Sequence, residues 1–155
     1  MTADDCTFCG IVADPARAAT FYEDDAAIGI LDLRQPGWPD AVHALVIPRP
    51  HVEVLDKLDD ETASGLMRAA VQVARIVRAA VSPEGYNLWQ SNGAAGGQEV
   101  PHVHLHVISR RTGDGLLRIY PTAPKLPAPG DLAAVAERLR AVTPEVRAAG
   151  PKGRQ

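Results

Sequence analysis

The sequence predicts an α+β domain with about five mostly antiparallel strands, one long helix and a C-terminal helix. Three observations predict it. Short apolar runs of strand type recur between turn residues. One long stretch keeps the apolar spacing of a helix. The connections are too short for parallel crossovers, which favours antiparallel pairing.

The elements follow in order. After "CTFCG", the stretch "TFYEDDAAIGILDL" reads as a hairpin with Glu23, Asp24 and Asp25 as its turn. Ile28 to Leu31 form its second strand, and "RQPGWPD" is a loop broken by Pro36, Gly37 and Pro39. "HALVIPRP" is a buried strand stopped by Pro48 and Pro50. The long helix runs from about Asp60 to Val81, with Leu66, Ala69, Ala70, Val73, Val77 and Ala80 on one apolar face. Asp59 or Asp60 caps its start, and Pro83 with Gly85 ends it. "YNLWQS" and "VPHVHLHVIS" are two strands joined by "NGAAGGQE". The proline-rich "YPTAPKLPAPG" then leads to a smaller helix over "DLAAVAERLRAV". Residues 1–120 are expected to form a single domain, and 121–155 a connector with the C-terminal helix and tail.

Composition bounds the function. With 155 residues, 46% apolar and 23% charged, the chain is that of an ordinary globular protein. A formal net charge of -3 leaves no footprint for polymeric nucleic acid. No apolar run reaches membrane-spanning length, and "MTADDC" lacks the features of a signal peptide. The expected location is the cytoplasm, where the two cysteines stay reduced.

Three of the five histidines lie in "HVHLHVIS". In a strand His102, His104 and His106 share one face, roughly 7 Å apart, while Val103, Leu105 and Val107 share the other and pack on the long helix. Imidazoles titrating near neutrality can be nucleophile, acid or ligand. The residues alone leave three readings: a solvated face, a metal site or a catalytic face. In the preceding loop, Gly93, Gly96 and Gly97 let backbone N–H groups turn towards an anion, and Gln98 can donate to a phosphate oxygen.

"GGQEVPHVHLHVIS" resembles the signature of the HIT (histidine triad) superfamily. "CTFCGIV", "ILDL", "HALVIPRPH" and "RRTGDG" occur in the family's order, so the likeness spans roughly residues 6 to 115. It implies the HIT fold and a nucleotidyl-histidine mechanism. His104 would attack the α-phosphorus of a nucleotide and His106 would assist at the phosphate or leaving group. His43 would orient the imidazoles, and Gly97 and Gln98 would meet phosphate oxygens. Asp32 would hold the ribose, with Ile30, Leu33 and Val100 beside the base. Without the resemblance, Asp32 and Asn92 are each equally readable as turn residues or substrate contacts. Glu99 stands where the family commonly has serine or threonine, the Asp32–His43 spacing is slightly long, and "ISRR" keeps Arg110 but lacks the usual proline.

Cys6 and Cys9 form one CxxC, which alone could be redox-active, half of a zinc site or two core cysteines. Zinc-binding HIT relatives imply Cys6, Cys9, His51 and His102 as a structural zinc shell. The implied activity is hydrolysis or nucleotidyl transfer on a purine nucleotide conjugate, first a nucleoside phosphoramidate and alternatively a dinucleoside polyphosphate. A non-catalytic nucleotide-binding protein and a zinc hydrolase are the readings of other classes. The family also implies a homodimer through the long helix and a strand.

Overall fold

The computed structural model describes residues 2–37, 41–116, 124 and 126–149. Residues 38–40 of the proline loop, 117–123 with the expected boundary at 120, residue 125 of the connector and the tail 150–155 lie outside the described residues. The chain divides into two units, Met1–Leu116 and Leu117–Gln155.

The first unit holds α1 (Thr7–Ala13), β1 (Thr20–Glu23), β2 (Ala27–Leu31), β3 (His43–Pro48), α2 (Asp60–Val81), β4 (Gly85–Trp89) and β5 (Leu105–Arg110). The strands form one sheet in the order β1-β2-β3-β5-β4, and every pairing is antiparallel. This is the α+β architecture expected from the sequence. The hairpin turn is set by Asp24, whose Oδ1 accepts from the N–H groups of Ala26 and Ala27 at 2.8 Å. Glu23, expected in the turn, closes β1 instead.

Both sheet faces are covered along β2 and β3, and alternation divides their residues. Ala27, Ala44 and Val46 pack with Val103, Leu105 and Val107 against Leu66, Ala69, Ala70, Val73 and Val77 of α2. Ile28, Ile30, Leu45 and Ile47 pack on the other side with Cys6, Phe8 and Ile11 of the α1 region. Sequence reasoning missed α1: seven residues carry too few apolar repeats to read as a helix, and Cys6 supplies no side-chain cap. In α2 the Asp59 carboxylate caps Thr62 N at 2.8 Å, as expected of one of the two aspartates. Ala80, expected on the buried face, is exposed. The left-handed residue closing α2 is Ser82 (φ 42, ψ 57), while Gly85 opens β4. Pro83 follows and stops the helix.

The histidine strand is shorter than expected. Regular pairing begins at Leu105, and residues 102–104 form a lead-in anchored by Val103 N donating to Val52 O at 2.7 Å. Among the described residues no helix is long and apolar enough to cross a membrane. In the second unit α3 spans Pro129–Ala149, beyond the expected 131–142, and continues through Pro144.

Candidate active site and metal cluster

His43 opens β3, His106 sits in β5, and His104 directly precedes β5. These strands are neighbours, with Leu45 registered against His106 and His43 against Ile108. The solvated-face reading fails, because His43, His102 and His104 are buried.

Backbone carbonyls assign the protons on these rings, since a carbonyl only accepts. His104 Nδ1 lies 2.8 Å from His102 O, so Nδ1 carries the hydrogen and Nε2 keeps its lone pair. His43 Nδ1 donates to Arg34 O at 3.1 Å, leaving Nε2 to accept from His106 Nδ1 at 2.9 Å. Trp89 stacks on His106 with centroids 4.7 Å apart, and Phe8 meets His104 edge-on at 5.0 Å. Burial lowers the pKa of all three rings, and for His106, also facing His104 and His43, the value falls to about 4. The site therefore holds neutral imidazoles near neutral pH.

Phe8, Asp32, Arg34, Trp89, Gly97, Glu99, Val100 and the three histidines line one pocket. An apolar cleft of about 930 Å³ adjoins it, lined by Ile11, Ala18, Ile30, Leu31, Leu33 and Leu45 among others, a size that suits a nucleoside. Ile30 is buried in its wall, whereas Leu33 stands fully exposed at its rim. Asp32 is a turn residue, its Oδ1 accepting from Arg34 N at 2.7 Å, and it lines both spaces.

The glycine loop is closed by its own hydrogen bonds. The N–H groups of Gly96, Gly97 and Gln98 donate to carbonyls inside the loop, and Gly93 N donates to Gln98 Oε1 at 2.7 Å. Gln98 Nε2 donates to Glu53 O at 2.7 Å, so its amide braces the loop. Asn92 Oδ1 accepts from Leu55 N at 2.8 Å and its amide bonds Gln90, which makes it a loop anchor away from the pocket. Gly97 has φ 81 with open space around its absent Cβ, so backbone conformation requires glycine there. Arg110 pairs with Asp114 at the far end of β5.

Arg34 is the residue sequence reasoning missed. Its carbonyl sets the His43 tautomer, and its guanidinium grips Glu99 through two hydrogen bonds of 2.9 and 2.8 Å. Arg34 holds the Glu99 carboxyl below the usual carboxylate range.

Cys6, Cys9, His51 and His102 offer ligand atoms that all lie within 4.8 Å of one another. Cys9 Sγ is 3.2 Å from His51 Nδ1, and both sulfurs are 3.6 Å from His102 Nδ1. Tetrahedral zinc, with Zn–S of about 2.3 Å and Zn–N of about 2.0–2.1 Å, needs S···N edges of about 3.5 Å, so the set fits. His102 Nε2 donates to Pro48 O at 3.0 Å, which leaves Nδ1 bare towards the cysteines. Burial and the neighbouring Cys6 push the Cys9 thiol up to about 11, a cost that a cation would offset.

An antiparallel sheet carrying alternating histidines beside an apolar cleft defines a histidine-triad protein. The chain belongs to the HIT family: residues 15–113 match the HIT domain. It is 35% identical over 142 residues to protein Hit of Bacillus subtilis, covering 88% of this chain and 96% of that one. It is 31% identical to the adenosine 5′-monophosphoramidase of Schizosaccharomyces pombe, over 77% of this chain and 88% of that one. A crystal structure of a HIT family member from Bacillus subtilis superposes with a TM-score of 0.78 at 33% identity, covering 88% and 96% of the two chains. A zinc-bound histidine triad protein from Mycobacterium smegmatis does so with a TM-score of 0.65 at 34% identity, covering 90% and 99%.

Proposed function

We propose that this protein hydrolyses purine nucleoside phosphoramidates through a nucleotidyl-His104 intermediate. The observation that carries the reading is the His104 ring: Nδ1 is tied to a carbonyl, and Nε2 keeps a lone pair beside a pocket that adjoins the apolar cleft. The Nε2–P bond forms as the P–N bond breaks, and the departing nitrogen takes up a proton from solvent, relayed by the His106 ring. Water then attacks phosphorus and returns a proton to solvent, the P–Nε2 bond breaks, and the nucleoside monophosphate leaves with His104 restored. Asp32 is at hand for the ribose, and Ile30, Leu33 and Val100 for the base. The resemblance to a named phosphoramidase supports this substrate class.

The same reading assigns structural zinc to Cys6, Cys9, His51 and His102, supported by the fit of the donor set and a zinc-bound neighbour. Bound zinc would supply folding energy by cross-linking α1 to the loops at β3 and β5, with no part in the phosphoryl steps. We infer a homodimer too, because edge strand β4 exposes Tyr86 and Leu88 next to Met67 and Val71 of α2. The unpaired Cys6 and Cys9 agree with a cytoplasmic location.

The test is AMP release from adenosine 5′-phosphoramidate, run beside diadenosine tetraphosphate, for wild type and His104→Ala. AMP from the amidate, lost by at least about a thousandfold in the variant, is the expected result. Cleavage of the tetraphosphate alone would move the protein to the dinucleoside polyphosphate class. Turnover of neither, with AMP still bound, would leave a nucleotide-binding protein. Turnover that survives in His104→Ala would overturn the mechanism.

A further inference from the structure

The apolar cleft and the histidine pocket share six residues: Phe8, Asp32, Arg34, Leu45, Glu99 and Val100. Three of them are charged, and Arg34 joins the other two, 2.8 Å from Glu99 and 3.7 Å from Asp32. Arg34 and Glu99 reach across the mouth of the site, one from the loop after β2 and the other from the loop before β5, with side chains 71% and 68% exposed. An ion pair so open to water contributes little net stability, so it does not hold the fold and is readily exchanged.

A nucleotide offers Arg34 an alternative partner. A guanidinium fork matches two phosphate oxygens as well as it matches a carboxylate. With the nucleoside in the apolar cleft and the phosphate at His104, a leaving part that departs through the open side would pass Glu99, which lines both spaces. Once Arg34 turns to the phosphate, the Glu99 carboxylate is left to face that leaving part. Arg34 lines the histidine pocket beside the carboxylates of Asp32 and Glu99, so its turn to the phosphate leaves Glu99 uncompensated by any other lysine or arginine of that lining.

We propose that the Arg34–Glu99 pair selects the leaving group by charge, favouring nucleotide conjugates whose leaving part is cationic and disfavouring polyphosphates. The inference rests on the hydrolytic reading above and deepens it to a substrate class: phosphoramidates of amines that carry a further positive charge. Arg34 is the exchangeable clamp and Glu99 the specificity residue.

The test compares two adenosine 5′-phosphoramidates that differ by one charge, one made from 1,4-diaminobutane and the other from pentylamine. Wild type is expected to favour the cationic amidate in kcat/KM by up to about fivefold at low ionic strength, the upper range for a solvent-exposed pair. The preference should fade in about 0.5 M salt, where exposed charges are screened. Glu99→Gln should bring the ratio close to one, and Glu99→Lys should invert it. Both substitutions are at an exposed position, and a thermal melt checks that each variant folds. An equal ratio in wild type and both variants would overturn the inference while leaving the hydrolytic reading intact. No turnover of either amidate by wild type would overturn that reading, and the inference with it.

Discussion

Two carbonyl oxygens decide which nitrogen can do chemistry in this site. His102 O holds the proton on His104 Nδ1, and Arg34 O holds one on His43 Nδ1, which passes the acceptor role to His43 Nε2 and the donor role to His106 Nδ1. The result is a set of neutral rings that need no strong base. Neutrality has a consequence for stability. His106 titrates at about 4 in the folded chain against 6.5 for the free ring, chiefly through burial and then His104 and His43. A lowered histidine pKa means that the unfolded chain binds the proton first. The stabilisation is fully present above the unfolded value and is lost as pH falls from 6.5 towards 4. Linkage of about 1.4 kcal/mol per pH unit gives His106 alone a loss of about 2 kcal/mol by about pH 5. Urea unfolding at about pH 7.5 and about pH 5 should show at least this loss in wild type and a clearly smaller one in His106→Asn. Equal losses would mean that His106 titrates as a free imidazole.

At the scale of elements, α2 comes close to the β1–β2 turn at a residue where its own propensity argues for alanine. Gly65 lies buried in the helix, and a Cβ there would stand 2.7 Å from Ala26 Cβ. Alanine gains about 1 kcal/mol over glycine in a free helix. Here the overlap should outweigh that gain, giving a net destabilisation of about 1–2 kcal/mol for Gly65→Ala. Adding Ala26→Gly should recover at least half of it, and a more stable Gly65→Ala protein would show that the hairpin yields freely. Such contacts explain what was legible in the chain. The α2 face, the β3 run and the alternation of histidines with Val103, Leu105 and Val107 are local periodicities, and the fold realises them. The short α1 is not periodic enough to show, because its stability comes from docking Phe8 and Ile11 on β2 and β3. The role of Arg34 was hidden for a different reason. Its carbonyl meets a ring nine residues away and its guanidinium a carboxylate 65 residues away, and no local pattern encodes either. The internal bracing of the glycine loop was hidden likewise: its composition suggests a phosphate cradle, and does not show that Gln98 and several N–H groups bond within the loop and to Glu53 O.

Across the first unit, the Cys/His cluster joins parts of the chain that the sheet alone does not connect. Cys6 and His102 are 96 residues apart in sequence, yet their ligand atoms are 3.6 Å from each other. His102 lies two residues before the His104 nucleophile assigned above, and its carbonyl accepts the His104 proton. A metal held by Cys6, Cys9, His51 and His102 would therefore fix the carbonyl that orients the reactive ring. Purified protein is expected to contain one equivalent of zinc. A site with roughly 10–16 kcal/mol of apparent binding energy couples strongly to folding, so chelation should lower the melting temperature by at least about 10 °C. Cys9→Ser should lose the metal and show the same thermal loss. His104→Ala should retain both metal and melting temperature while losing turnover, which separates support of the fold from chemistry. Chelated protein with an unchanged melting temperature and no activity would instead place the metal at the reacting phosphate. Structural zinc requires melting temperature and metal content to fall together in Cys9→Ser, and turnover alone to fall in His104→Ala.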